Sequence, residues 1–114
     1  MAYQPDIAVT MTFFGSTSPK VPVFFTKETR TSFYYPHDLL GFYCVFFSAD
    51  DRMAFPGETI VGWISFLEPD QQQEKIHEGL TFEFRAGRPV ICEGTVIEVI
   101  NPRLWAENRE QDRV

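Results

Sequence analysis

The hydrophobic positions of this chain come in short runs separated by turn-forming residues. Residues 7–14 read I-A-V-T-M-T-F-F, rich in β-branched and aromatic side chains, and Gly15, Ser16, Ser18 and Pro19 then break the run. A second short strand is expected over residues 21–25, with Pro22 restricting it to a strand start or a sheet edge because proline cannot donate to a ladder. Residues 31–35 supply a third. The run F-Y-C-V-F-F at residues 42–47 is continuously apolar, a pattern suited to a strand covered on both faces, and it is the best candidate for the core. Residues 48–57 are expected as an irregular loop bent at Pro56 and Gly57, after which residues 58–67 resume a strand pattern. Residues 68–77 are polar and too weakly amphipathic for a core helix, so a surface loop with at most one helical turn is expected there. Residues 80–85 alternate apolar and polar, residues 86–89 form a turn, and residues 90–100 make a last long strand, so this pair reads as a closing hairpin.

Six or seven strands without a convincing helix fit an all-β fold, a closed antiparallel barrel in which closure removes exposed sheet edges. With 114 residues and 44 % hydrophobic content, one core is the expectation: residues 1–100 as the barrel and residues 101–114 as a polar tail, with Leu104 and Trp105 packing back on it. Twelve phenylalanines strengthen the β assignment, since flat rings fill a sheet interior more readily than a narrow helical stripe.

The formal net charge of −6 repels phosphate backbones and makes nucleic acid a disfavoured partner. No stretch approaches the roughly 20 apolar residues that span a bilayer, and the first six residues lack the basic and apolar regions of a signal peptide, so a cytoplasmic location without membrane attachment is expected. Cys44 and Cys92 lie in strand-like runs without metal-ligand spacing, which reads as two buried reduced thiols. His37 and His77 sit in polar loops beside carboxylates, and no serine or cysteine nucleophile motif accompanies them, so no catalytic residue is assigned. Asp50 and Asp51 lack the spacing of a calcium loop, and no metal or other cofactor is expected.

Several fragments, in order, resemble the third, C-terminal domain of bacterial elongation factor Tu. Residues 78–88, E-G-L-T-F-E-F-R-A-G-R, are similar to that family's E/D-G-L-R-F-A-I-R-E-G-G-R, and residues 55–58, F-P-G-E, to its M-P-G-D. Residues 30–35, R-T-S-F-Y-Y, resemble R-P-Q-F-Y-F; residues 38–41, D-L-L-G, resemble D-V-T-G; and residues 93–96, E-G-T-V, resemble part of G-A-G-V-V. The resemblance implies a six-stranded antiparallel closed β-barrel without the GTPase domain of that factor, and the chain has no G-x-x-x-x-G-K-[ST] loop to hold GTP. It also implies binding roles for Arg30, Arg85, Gly87 and Arg88, which match positions in or beside loops that touch transfer RNA and protein partners in the family. The expected function is therefore non-catalytic protein recognition, as a mimic or decoy of that domain toward a translation-factor ligand or a toxin. Transfer-RNA or ribosome binding is the alternative, weakened by net charge, by Ser32 in place of the family's glutamine, and by the acidic residues Glu28 and Glu83. Surface pairing of these arginines with Glu28, Glu83 or Glu93 is the structural reading of the same residues.

Overall fold

The computed structural model describes residues 4–14, 24–25, 28–48, 53–85 and 90–105. Six strands close on themselves: β1 (Ile7–Phe13), β3 (Glu28–Tyr34), β4 (Gly41–Phe47), β6 (Thr59–Phe66), β7 (Thr81–Arg85) and β8 (Val90–Val99), in the ring order β1-β6-β4-β3-β7-β8. Every neighbouring pair is antiparallel, and β1 pairs with both β6 and β8 to complete the circle. The fold class expected from the sequence is the one observed, and the closing hairpin is present as β7–β8. Two further short strands, β2 (Phe24–Phe25) and β5 (Met53–Ala54), pair with each other outside the barrel ladder. Residues 53–54 are thus a strand where a loop was expected, and residues 21–23, the rest of the expected second strand, lie outside the described residues.

Alternation along each strand builds the interior. Ile7, Val9, Met11 and Phe13 point inward from β1, Ile60, Ile64 and Phe66 from β6, and Phe82 and Phe84 from β7. Phe33 sits among them, stacked on Phe82 with centroids 4.6 Å apart and meeting Phe66 edge-on at 5.0 Å. These geometries suit ring quadrupoles and add to simple area burial. Two glycines inside strands make room for the rings. A Cβ at Gly62 would meet the Phe46 ring at 2.5 Å, and one at Gly94 would collide with the Phe82 ring, which lies directly opposite it in the β7–β8 register.

β4 corrects one expectation. Only Cys44 and Phe46 are buried in its run of large apolar residues, while Tyr43 is 73 % exposed, so the strand is covered on one side only. Apolar residues on both faces hid the period-two alternation.

The polar segment after β6 is more than a surface loop. It contains a 3-10 turn, η1 (Pro69–Gln72), and carries Gln72 and Ile76 into buried positions across one end of the barrel. Lys75 lies 5.0 Å from the Phe42 ring centroid and 5.5 Å from that of Tyr35, and the Tyr35 hydroxyl donates to Gln72 Oε1. The barrel also extends beyond residue 100: a second 3-10 turn, η2 (Pro102–Leu104), buries Leu104 in the core, and Arg103 bridges to Asp70 on η1. Trp105 donates its indole N–H to the Val99 carbonyl.

Asp6, which carried no signal in the sequence, ties three strands together. Its carboxylate accepts the Phe66 N–H at 2.6 Å and the Asn101 amide at 2.8 Å, its N–H donates to the Ile64 carbonyl, and its own carbonyl accepts the N–H groups of Ile100 and Asn101. Burial raises its pKa, outweighing the lowering by those two carboxylate hydrogen bonds. A carboxyl with a raised folded-state pKa contributes stability that is complete below the unfolded pKa and is lost as pH rises through the folded value. The stability of the wild type relative to Asp6→Asn should therefore decline as pH rises from about 4 toward neutrality, measured by urea unfolding. A difference that grows with pH would mean that the hydrogen bonds to the carboxylate outweigh its burial. Asp6→Ala, which strands the buried Phe66 N–H, should cost about 1–3 kcal/mol.

Candidate functional site

Because β3, β4 and β6 are neighbours, their outward residues form cross-strand rows. Arg30 faces Val45, which faces Ser65; Ser32 faces Tyr43, and the Leu67 N–H donates to the Tyr43 carbonyl just past the end of β6. These six residues line a groove of about 410 Å³, which Thr31, Cys44 and Phe66 also border, the last two with their side chains buried in the core. Leu67, like Tyr43, is 73 % exposed. The next row is aromatic, with Phe47 and Trp63 stacked at 5.8 Å. At the barrel end of the groove the β3–β4 loop carries Leu39, 95 % exposed, and Leu40. There a smaller recess of about 160 Å³, lined by Gly41, Phe42, Glu68, Gln71 and Gln72, shares Tyr43 and Leu67 with the groove.

The four residues singled out by resemblance separate. Arg30 is exposed on β3 and lines the groove. Arg85 does not line it. Its Nε and Nη2 donate to Glu83 Oε1 at 2.9 and 2.8 Å, its Nη1 donates to the Asp38 carbonyl, and its guanidinium lies 4.2 Å from the Tyr34 ring centroid. With only 12 % of its side chain exposed, Arg85 locks β7 to β3 and to the β3–β4 loop, the structural reading of that residue. Gly87 and Arg88 lie outside the described residues, as do Asp50 and Asp51.

A scan against models of known protein families finds no match, and neither does a search of curated protein sequences. The site must be read from its own chemistry.

That chemistry is apolar recognition with a few polar points. The groove has the size of a pocket for one or two large side chains or a small ligand, and its hydroxyls and single guanidinium are spaced around an aliphatic and aromatic lining. His77 is an exposed loop residue whose Nδ1 lies 2.9 Å from the Glu78 carbonyl oxygen, and His37 occupies a turn with φ +70°. No cluster of three His, Cys, Asp or Glu side chains able to hold a metal is found among the described residues. Nor is any described helix long and apolar enough to cross a membrane.

Both cysteines are buried free thiols, as the sequence suggested. Burial pushes the Cys92 thiol up to about 12 and raises that of Cys44 as well, and Cys92 Sγ sits 4.0 Å from Met11 Sδ. A protonated, enclosed thiol is a poor nucleophile. Neither cysteine should be modified by a small disulfide reagent at pH 8 in the native protein, and both should react once urea unfolds it. Rapid modification of Cys44 in the native state would show that the barrel opens to solvent at β4.

Proposed function

We propose that this chain is a non-catalytic binding module that docks a protein partner on the outer face of β3, β4 and β6. The observation that carries the reading is the groove beside two large side chains, Tyr43 and Leu67, each 73 % exposed on a barrel whose interior is already filled. Exposed apolar side chains next to a concave surface are the usual anatomy of an interface core, and the polar residues around them supply a rim. The motif order that resembles the third domain of elongation factor Tu supports a narrower version, in which the chain acts as a mimic or decoy of that domain. Transfer-RNA binding gains no support from Arg85, whose guanidinium donates to Glu83 and to the Asp38 carbonyl and lies over the Tyr34 ring.

Site-specific photocrosslinking in the native host tests the docking face. Replacing Tyr43 with benzoylphenylalanine should give a discrete protein adduct, whereas the same replacement of the exposed Glu98 should not, because β8 lies three strands from β4 in either direction round the ring. Equal adducts from both positions would contradict the assignment of the face. Labelled transfer RNA should show negligible binding at physiological salt, given a net charge of −6. Tight binding that weakens steeply with salt would favour the RNA reading instead.

A further inference from the structure

We infer that the partner of the docking face is a second copy of this chain, and that the two copies meet through the uncharged side of the barrel formed by β1, β6 and β4. The inference rests on the docking reading above and names its partner.

Charge is divided unevenly round the ring. β1, β6 and β4 are consecutive neighbours, and their sequences, I-A-V-T-M-T-F, T-I-V-G-W-I-S-F and G-F-Y-C-V-F-F, contain no charged residue. The other three strands of the ring carry Glu28, Arg30, Glu83, Arg85, Glu93 and Glu98. Filling the interior does not account for the difference, because the uncharged strands alternate like the rest and place Thr10, Val61, Trp63, Tyr43, Val45 and Phe47 at outward positions. On a chain with a net charge of −6, water-facing strands would ordinarily share the charge. Depletion of charge together with enrichment in tyrosine, tryptophan and phenylalanine is the composition of the centre of a protein interface. Tyr43, Phe47 and Trp63 supply those rings, the last two stacked on each other.

Chemistry, size and shape select a copy of the same face. A basic partner would be drawn by the net charge but would find no carboxylate on these strands to meet, and an acidic partner would find no base. The same face of a second copy is uncharged and aromatic, and its pairing with itself sets no like charges opposite each other. Tyr43, Val61 and Leu67, with Leu39 and Leu40 on the loop leading into β4, are the most exposed large apolar residues of the described chain. Together they present on the order of 700 Å² to water, close to the roughly 800 Å² that each partner buries in a standard interface. The groove takes one or two large side chains, and the face that surrounds it carries large protruding ones, so a two-fold arrangement lets each copy fill the groove of the other.

The test is analytical ultracentrifugation of the purified full chain over a concentration series at two salt concentrations. A monomer–dimer equilibrium is expected, and it should tighten as salt rises, because screening relieves the repulsion between two chains of net charge −6 while the contact itself carries no charge. Val61→Glu, at a position 59 % exposed, puts a like charge into both halves of the contact and should weaken the dimer at least about tenfold. Thr81→Glu is the matched control: Thr81 is exposed on β7, which lies three strands from β6 in either direction round the ring, and the dimer should be unchanged. Far-UV circular dichroism shows whether each variant keeps its β structure, and Tyr43→Ser serves as a second variant of the face. The purified chain with benzoylphenylalanine at Tyr43 should crosslink to an adduct of twice the chain mass. A chain that stays monomeric at about 500 µM overturns the inference, and a Tyr43 adduct with a different protein in the host then leaves the docking reading in place. A dimer that survives both Val61→Glu and Tyr43→Ser, or that Thr81→Glu disrupts as strongly as Val61→Glu, also overturns it.

Discussion

Everything else in this structure depends on the filling of a six-stranded barrel by aromatic rings. Phe13, Phe33, Phe46, Phe82 and Phe84 are fully buried, and Phe33 joins the set by stacking on Phe82 and meeting Phe66 edge-on. A barrel of this size has an interior just wide enough for side chains, and the bare backbone at Gly62 and Gly94 is what admits the rings of Phe46 and Phe82. With that volume used, apolar residues at the alternate positions of β4 and β6 must face out. Tyr43, Val61 and Leu67 are therefore exposed without being required by the core.

This division of labour within one strand explains why the outer face is the functional candidate. Cys44 and Phe46 belong to the interior, while Tyr43 and Val45, one residue away from them, belong to the groove. The polar elements divide in a similar way. Asp6 holds β1, β6 and the chain after β8 together, Arg85 spends its donors on Glu83 and the β3–β4 loop, and the thiols are enclosed. At the surface of β3, β4 and β6 lies a groove lined by Arg30, Tyr43, Val45 and Leu67, with Glu68 at the adjoining recess.

The strands were legible because turn residues bracket them and because alternation is local information. The start of β3 was not, since Glu28, Thr29 and Arg30 are polar, and only their pairing with Phe47, Phe46 and Val45 makes them a strand. The groove could not be read at all. It exists because β4 lies between β3 and β6, a neighbour relation set by ring order rather than by sequence spacing. Asp6 and Gln72 stayed hidden for the same reason: each is paired with residues 37 or more positions away, Phe66 and Asn101 for one and Tyr35 for the other. Gly62 and Gly94 did offer a signal, because an isolated glycine within a strand pattern marks a close approach, here of an aromatic ring.

The central claim is that the inner face of β4 holds the fold and its outer face is free to bind. Alanine substitution along that strand, with equilibrium urea unfolding of each variant, tests it directly. Phe46→Ala should cost about 3–5 kcal/mol, while Tyr43→Ala and Val45→Ala should each stay within about 1 kcal/mol of wild type, a profile of period two. A loss at Tyr43 as large as that at Phe46 would show that the exposed side chain belongs to the fold, and would contradict the account.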